Sequence, residues 1–275
     1  MAEEERKALR PVNSNSAMYT LGIDIGSTTS KCAVIKDGTE LVATSLQTGG
    51  LGTGGPEEAL AALWRSSGLT AADMARTVVT GYGRKNYEGA DGEISELTAH
   101  ALGGRFVFPD LRTVIDIGGQ DAKVIALSPS GKMVNFVMND KCAAGTGRFL
   151  DVMASILRLD VDDLDTEAAK STAPASISST CTVFAESEVI SQLANGVKRP
   201  DLVAGICRSV ASRVAALARR AGVTEQVCLS GGVARNDAVR QALSEELNVP
   251  VSVDPLAQYF GAIGAALWAH KEVSK

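Results

Sequence analysis

The chain has 275 residues, of which 45% are hydrophobic and 27 are glycine, and its formal net charge is −5. That length supports one large domain or two smaller lobes. The acidic balance, with no long basic run, excludes a nucleic-acid binder that works by phosphate neutralisation. The start, MAEEERKALR, lacks the apolar core of a signal peptide. The most apolar stretch near the C-terminus, GAIGAALWAH, is about half the length of a membrane span. A cytoplasmic protein without a membrane partner is expected. In a reducing compartment its five cysteines should be thiols or ligands rather than disulfides.

Residues 1–17 read as a disordered leader or tag. Met18–Ile25 (MYTLGIDI) is a β-rich run, followed by the turn GSTTS and a strand over Lys31–Lys36. Asp37–Gly38 is a hairpin signal that returns Glu40–Leu46 antiparallel. Pro56–Ser66 has proline at a first helical position and apolar spacing at Leu60, Leu63 and Trp64. A strand at Arg76–Thr80, the turn GYGR and a helix around Glu93–Leu102 follow.

The opening pattern then recurs. Thr113–Ile117 (TVIDI) leads into GGQDA and Lys123–Leu127, and PSG at 129–131 turns into Lys132–Met138. GIDIGSTTSKCAVI and VIDIGGQDAKVIAL align with Asp24 and Asp116, 92 residues apart. This is an internal duplication. Helices are predicted near Gly145–Leu157, Phe184–Ala194 and Leu202–Ala221, then a strand at Gln226–Ser230. A helix at Asp237–Leu247, a strand at Val251–Asp254 and a helix at Gly261–Lys271 complete the chain. Two α/β lobes, 18–112 and 113–275, with a cleft between them are the expected architecture.

Two strand–Asp–Gly turns suit a nucleotide phosphate chain, because glycine lets backbone N–H groups approach phosphate oxygens. Ser27, Thr28, Thr29 and Ser30 add hydroxyl donors and Lys31 a point charge. Asp24 and Asp116 end their strands, where carboxylates can hold hydrated Mg²⁺ and orient water. Asp116 and Gln120 are expected near a γ-phosphate, Asp116 holding the metal through water and Gln120 helping to place the attacking water. CLSGGVARN, with Gly231, Gly232 and Asn236, suits close approach to a base or ribose. The P-loop signature GxxxxGK[ST] does not occur.

Cys142 precedes AAGTGRFLDVMASIL and Cys181 precedes TVFAESEVISQL, so each is read as standing just before a helix. A helix start favours a thiolate. Two such thiolates cannot complete a four-coordinate iron–sulfur site alone, but two copies of the chain about a two-fold axis can. Inert thiols remain the alternative on spacing. Cys32, Cys207 and Cys228 read as packing residues, as does His100 unless it lies on the surface. His270 suits the end of a helix. Glu186 and Glu188 read as docking residues or a solvated helix face.

The motif set resembles the actin, sugar-kinase and heat-shock-chaperone ATPase superfamily. DIGSTTSK would be its first phosphate loop, DIGGQDAK, with Gly118 and Gly119, its second, and SGGVARN its adenosine loop. The resemblance implies a two-lobed actin-like (ribonuclease-H-like) α/β fold with a duplicated βββαβα core, binding ATP or ADP with Mg²⁺. NDKCAAGTGRFLDVMA and SSTCTVFAESEVISQL closely resemble the ATP-dependent activators (component A, or archerases) of 2-hydroxyacyl-CoA dehydratases. In that family two cysteines per subunit share one [4Fe–4S] cluster across a homodimer, which carries over to Cys142 and Cys181. The glycine turn Gly145, Thr146, Gly147 would lie at the nucleotide, and TGYGR and PLAQYFGAIGAAL, with Gln258, also look like family elements. The implied function is ATP-driven one-electron donation to a separate dehydratase (component D), with electrons from reduced flavodoxin or ferredoxin. The ATPase subunit of a benzoyl-CoA reductase and a small-molecule kinase are the alternatives.

Overall fold

The computed structural model describes residues 17–50, 52–178 and 181–275; the expected leader lies, but for Ala17, outside them. The chain divides into two compact units, one of residues up to Val107 together with Tyr259–Lys275, the other Phe108–Gln258.

In the first unit, β1 (Tyr19–Ile25), β2 (Thr29–Lys36) and β3 (Glu40–Thr48) form an antiparallel meander. Asp37 and Gly38 turn the first hairpin at φ 53° and 73°, the left-handed pair that a two-residue turn requires. Helix α1 (Gly55–Ser67) begins on Pro56 and ends at Gly68 in the left-handed conformation. β4 (Met74–Thr80) and the short β5 (Gly92–Glu93), which carried no sequence signal, pair parallel, giving the order β3-β2-β1-β4-β5. α2 (Glu96–Val107) and the last helix, α8 (Phe260–Val273), complete this unit.

The second unit repeats the pattern with β6 (Thr113–Ile117), β7 (Ala122–Leu127) and β8 (Met133–Asn139), then β9 (Val227–Ser230) and β10 (Val251–Ser252). Its order, β8-β7-β6-β9-β10, and its strand directions match those of the first. Between β8 and β9 stand α3 (Gly147–Leu157), the unpredicted α4 (Leu164–Ala168), α5 (Thr182–Ala194) and α6 (Arg199–Ala221). α7 (Asp237–Leu247) follows β9, N-capped by Asn236, whose side chain accepts from the Val239 N–H. Among the described residues, no helix is long and apolar enough to cross a membrane.

The expected division at 113–275 needs one correction. α8 packs on β1, β2, β4 and α2, so the C-terminal segment belongs with the first unit. The small residues of GAIGAALWA explain this. A Cβ at Gly22 of β1 would collide with the Ala262 carbonyl of α8, and one at Gly264 with the Ala99 carbonyl of α2. Thr20 Oγ1 donates to the Ala266 carbonyl at 2.9 Å, fixing the register of helix on sheet. Replacing Gly264 by alanine should lower the unfolding free energy by about 1–3 kcal/mol, the usual cost of overpacking, and move the urea midpoint down. Gly54→Ala, where the nearest atom is the end of the Glu58 side chain, should stay within about 0.5 kcal/mol.

Candidate active site

The duplication places the same ion pair in both sheets. Asp24 faces Lys31 across β1 and β2, with Lys31 Nζ 3.4 Å from Asp24 Oδ2. Asp116 faces Lys123 across β6 and β7, with Lys123 Nζ 3.1 Å from Asp116 Oδ2 and 3.0 Å from Asp121 Oδ2. Each aspartate is followed by the same turn: the Gly26 N–H donates to the Thr29 carbonyl at 3.0 Å, and the Gly118 N–H to the Asp121 carbonyl at 2.9 Å. Lys123 is buried between two carboxylates, and removing one partner of such a pair costs about 3–5 kcal/mol.

A second duplicated feature escaped the sequence reading. Gly81, after β4, and Gly231, after β9, have φ of 88° and 83°. A Cβ at Gly81 would collide with Asp24 Oδ1, and one at Gly231 would lie 3.0 Å from Asp116 Oδ1 and collide with the Ile117 carbonyl. The signal was present as VVTGYGR beside CLSGGVAR. A side chain at Gly231 is therefore barred by the neighbouring strand.

The two aspartates differ in what they accept. Asp116 Oδ1 takes the Ser230 hydroxyl at 2.7 Å and Oδ2 takes Lys123. The counterpart of Ser230, Thr80, donates to the Ile94 carbonyl at 3.0 Å. Asp24 Oδ1 is thus buried with no hydrogen-bond partner among the described residues, a state that costs about 1–3 kcal/mol. His100 is buried, not on the surface, and lies with Asp24 against Gly261.

Other expected ligands divide by exposure. Ser27 and Thr29 are half-buried and Thr28 and Gln120 are exposed. Ser30 is buried and donates to the Gly49 carbonyl at 2.8 Å, so its hydroxyl closes the loop instead of facing solvent. Thr146 is buried too, and its hydroxyl donates to the Ala143 carbonyl at 2.7 Å. Asn236 spends its side-chain oxygen on the α7 cap. Gln258 stands beside Gly232 and helps to line a cavity of about 420 Å³ with Arg235, Asp237, Arg240 and Asp254.

The glycine turn behaves differently from a free anion site. The first N–H groups of a helix have no intrahelical partner, and in α3 two of them are taken. The Gly147 N–H donates to the Gly118 carbonyl and the Arg148 N–H to the Gly119 carbonyl, both at 2.8 Å. A Cβ on Gly147 would lie 3.1 Å from that Gly118 oxygen. The second phosphate-type loop is therefore hydrogen-bonded to the start of α3.

Cys142 stands on the far side of this turn. It is not immediately before a helix, as its sequence suggested, because Ala143–Thr146 intervene before α3. Asn139 at the end of β8 clasps the segment, its Nδ2 donating to the Cys142 and Ala144 carbonyls at 2.8 and 3.2 Å. Cys181 is the N-cap of α5, and α5 packs against α3. Both thiols are half-buried. Cys32, Cys207 and Cys228 are buried, and burial pushes the first two up to about 12 and the third higher still.

Residues 21–269 match the BadF/BadG/BcrA/BcrD ATPase family. The (R)-2-hydroxyglutaryl-CoA dehydratase activating ATPase of Acidaminococcus fermentans is 57% identical, over 94% of this chain and all of its own. The solved activator of the 2-hydroxyisocaproyl-CoA dehydratase from Clostridium difficile, with bound ADPNP, is 52% identical, with a TM-score of 0.91 over 94% of this chain and 96% of that one. A benzoyl-CoA reductase subunit of Thauera aromatica is 33% identical over 77% of both chains. A ROK family glucokinase from Streptomyces griseus, at 15% identity and a TM-score of 0.56 over 92% and 99% of the two chains, shares the duplicated actin-like α/β fold. The chain belongs to the BadF/BadG/BcrA/BcrD ATPase family.

Proposed function

We propose that this ATPase is a one-electron donor that activates a 2-hydroxyacyl-CoA dehydratase, with Cys142 and Cys181 of two copies holding one [4Fe–4S] cluster. The observation that carries the reading is the hydrogen-bonded junction of Gly118 and Gly119 with Gly147 and Arg148, which ties a phosphate-type loop to the segment bearing Cys142. Identity favours the dehydratase activators over the benzoyl-CoA reductase relative, 57% against 33%.

The thiols fit the group. Cys142 and Cys181 are half-buried, whereas the other three lie in the core with their protons held by burial. When bound, the cluster would supply the single electron that the dehydration requires, with reduced flavodoxin or ferredoxin as the electron source.

Each loop carries residues suited to ATP or its Mg²⁺. Ser27, Thr28 and Thr29 offer donors to phosphate, and Lys31 offers charge while remaining beside Asp24. Asp24 has the carboxylate oxygen in need of a donor, which suits water on hydrated Mg²⁺ or the attacking water. Asp116, with both oxygens engaged, holds Lys123 and Ser230 in line and reaches the metal only through water. Gln120, exposed on the turn, orients the attacking water. Gln258 and Gly232 border the adenosine end. Nucleotide state biases the position of Cys142 only if the two arrangements of the turn differ in their free energy of binding ATP and ADP. The carbonyls of Gly118 and Gly119 connect the two.

Two measurements test this. In anaerobically reconstituted protein, Cys142→Ser and Cys181→Ser should each abolish iron binding while Cys207→Ser retains it, with one cluster per two chains by iron and sulfide analysis. One full cluster per monomer would contradict the bridged dimer. Asp24→Asn should leave iron content unchanged and lower ATP turnover about 10²–10³-fold, as loss of a positioned polar group does; unchanged turnover would reject its role.

A further inference from the structure

The helix that starts at Cys181 is thinly held. α5 has thirteen residues, yet only Ala185 and Val189 are buried, far short of the apolar stripe by which a helix usually seats itself. Its outward residues Val183, Phe184 and Ile190 are 65%, 67% and 50% exposed. Within a single copy, side-chain packing therefore does little to fix where this helix begins.

Polar contacts fix it instead. Glu188, expected to be a docking residue or part of a solvated face, is half-buried, and its Oε2 accepts the Ser178 N–H at 2.6 Å. Gln192, one turn on, donates to the Ser176 carbonyl at 2.8 Å and lies 3.3 Å from Glu188 Oε1. The segment 176–178 is thus pinned back along α5 itself. Its other end is pinned to α6. Asp201 Oδ1 accepts from the Ser171 hydroxyl and the Thr172 and Ala173 N–H groups at 2.6, 3.1 and 3.0 Å, and its carbonyl accepts the Ala175 N–H at 2.9 Å. The Ser171 hydroxyl and the two amides hold the Asp201 carboxyl below its ordinary range. Ala175 runs so close to α6 that a side chain on Gly205 would collide with its carbonyl.

We propose that Glu188, braced by Gln192, is the positioning residue for Cys181: it holds the strap 171–178 against α5 and so fixes the thiol at the helix start. The purpose assigned to that thiol rests on the function proposed above; the clamp itself does not. A hydrogen bond to a carboxylate is about twice as strong as a neutral one, and shorter. It suits a helix with so little packing. Glutamine at 188 keeps an oxygen for the Ser178 N–H, whereas alanine keeps nothing.

The test uses the full-length, metal-free, reduced protein and iodoacetamide, with alkylation at each cysteine followed by mass spectrometry. Glu188→Ala should make Cys181 react about tenfold faster, as expected from losing a charge-assisted hydrogen bond. Cys142 should keep its rate, Glu188→Gln should return Cys181 to near the wild-type rate, and Gln192→Ala should fall between. An unchanged Cys181 in Glu188→Ala, an equal rise at Cys142, or failure of glutamine to rescue would each overturn the clamp. The iron-loaded protein supplies a second reading: Glu188→Ala should lose iron to a chelator faster than wild type, and equal rates would count against the clamp. Wild-type protein that takes up no iron would overturn the proposed function, while the alkylation rates still decide the clamp.

Discussion

Two hydrogen bonds at the head of α3 govern the second unit. A helix start normally presents its free N–H groups to an anion or a capping side chain. In α3 the Gly147 and Arg148 N–H groups go to the carbonyls of Gly118 and Gly119, so the dipole is spent on protein. What the arrangement offers is a mechanical link. The turn after Asp116 cannot move without carrying the start of α3, and the segment ahead of that start holds Cys142. On the opposite side Asn139 ties the same segment to β8, which is paired through β7 to the strand bearing Asp116. Cys142 is thus held between the end of β8 and the turn after Asp116.

The duplicated frame also shows how two copies of one motif diverge. Register, ion pair and following glycine turn are shared, so both aspartates are presented at equivalent points of equivalent sheets. One hydroxyl separates them. Ser230 donates to Asp116, while Thr80 turns to Ile94 and leaves Asp24 with an oxygen that accepts nothing among the described residues. An orphaned buried carboxylate oxygen is costly, and such a cost persists where a ligand supplies the missing donor. The two copies therefore differ in which aspartate oxygen is left to accept a further donor.

Much of this was legible in sequence because strand–turn patterns are local. The matching DIG turns, the Asp37–Gly38 hairpin and the proline at the start of α1 all appear where their residues predict. What was not legible depended on contacts between distant segments. The glycine and alanine spacing of α8 shows a close-packed helix but not which sheet receives it. Thr146, expected at the nucleotide, turns its hydroxyl back to Ala143, and the helix begins later than its glycine turn suggested. Glu188 reads as surface because its partner is a backbone N–H ten residues earlier, which no helical periodicity encodes. The pairing of TGYGR with SGGVAR was visible, but only once both were known to follow equivalent strands.

If the hydrogen-bonded junction couples nucleotide to cysteine, nucleotide at the Gly118–Gly119 turn is felt at the start of α3. Amide hydrogen exchange at Gly147 and Arg148, compared between a non-hydrolysable ATP analogue and ADP, tests it most directly. Protection of these two amides should change with nucleotide state, while that of amides in the middle of α7 should not. Identical exchange at Gly147 and Arg148 in both states would contradict it.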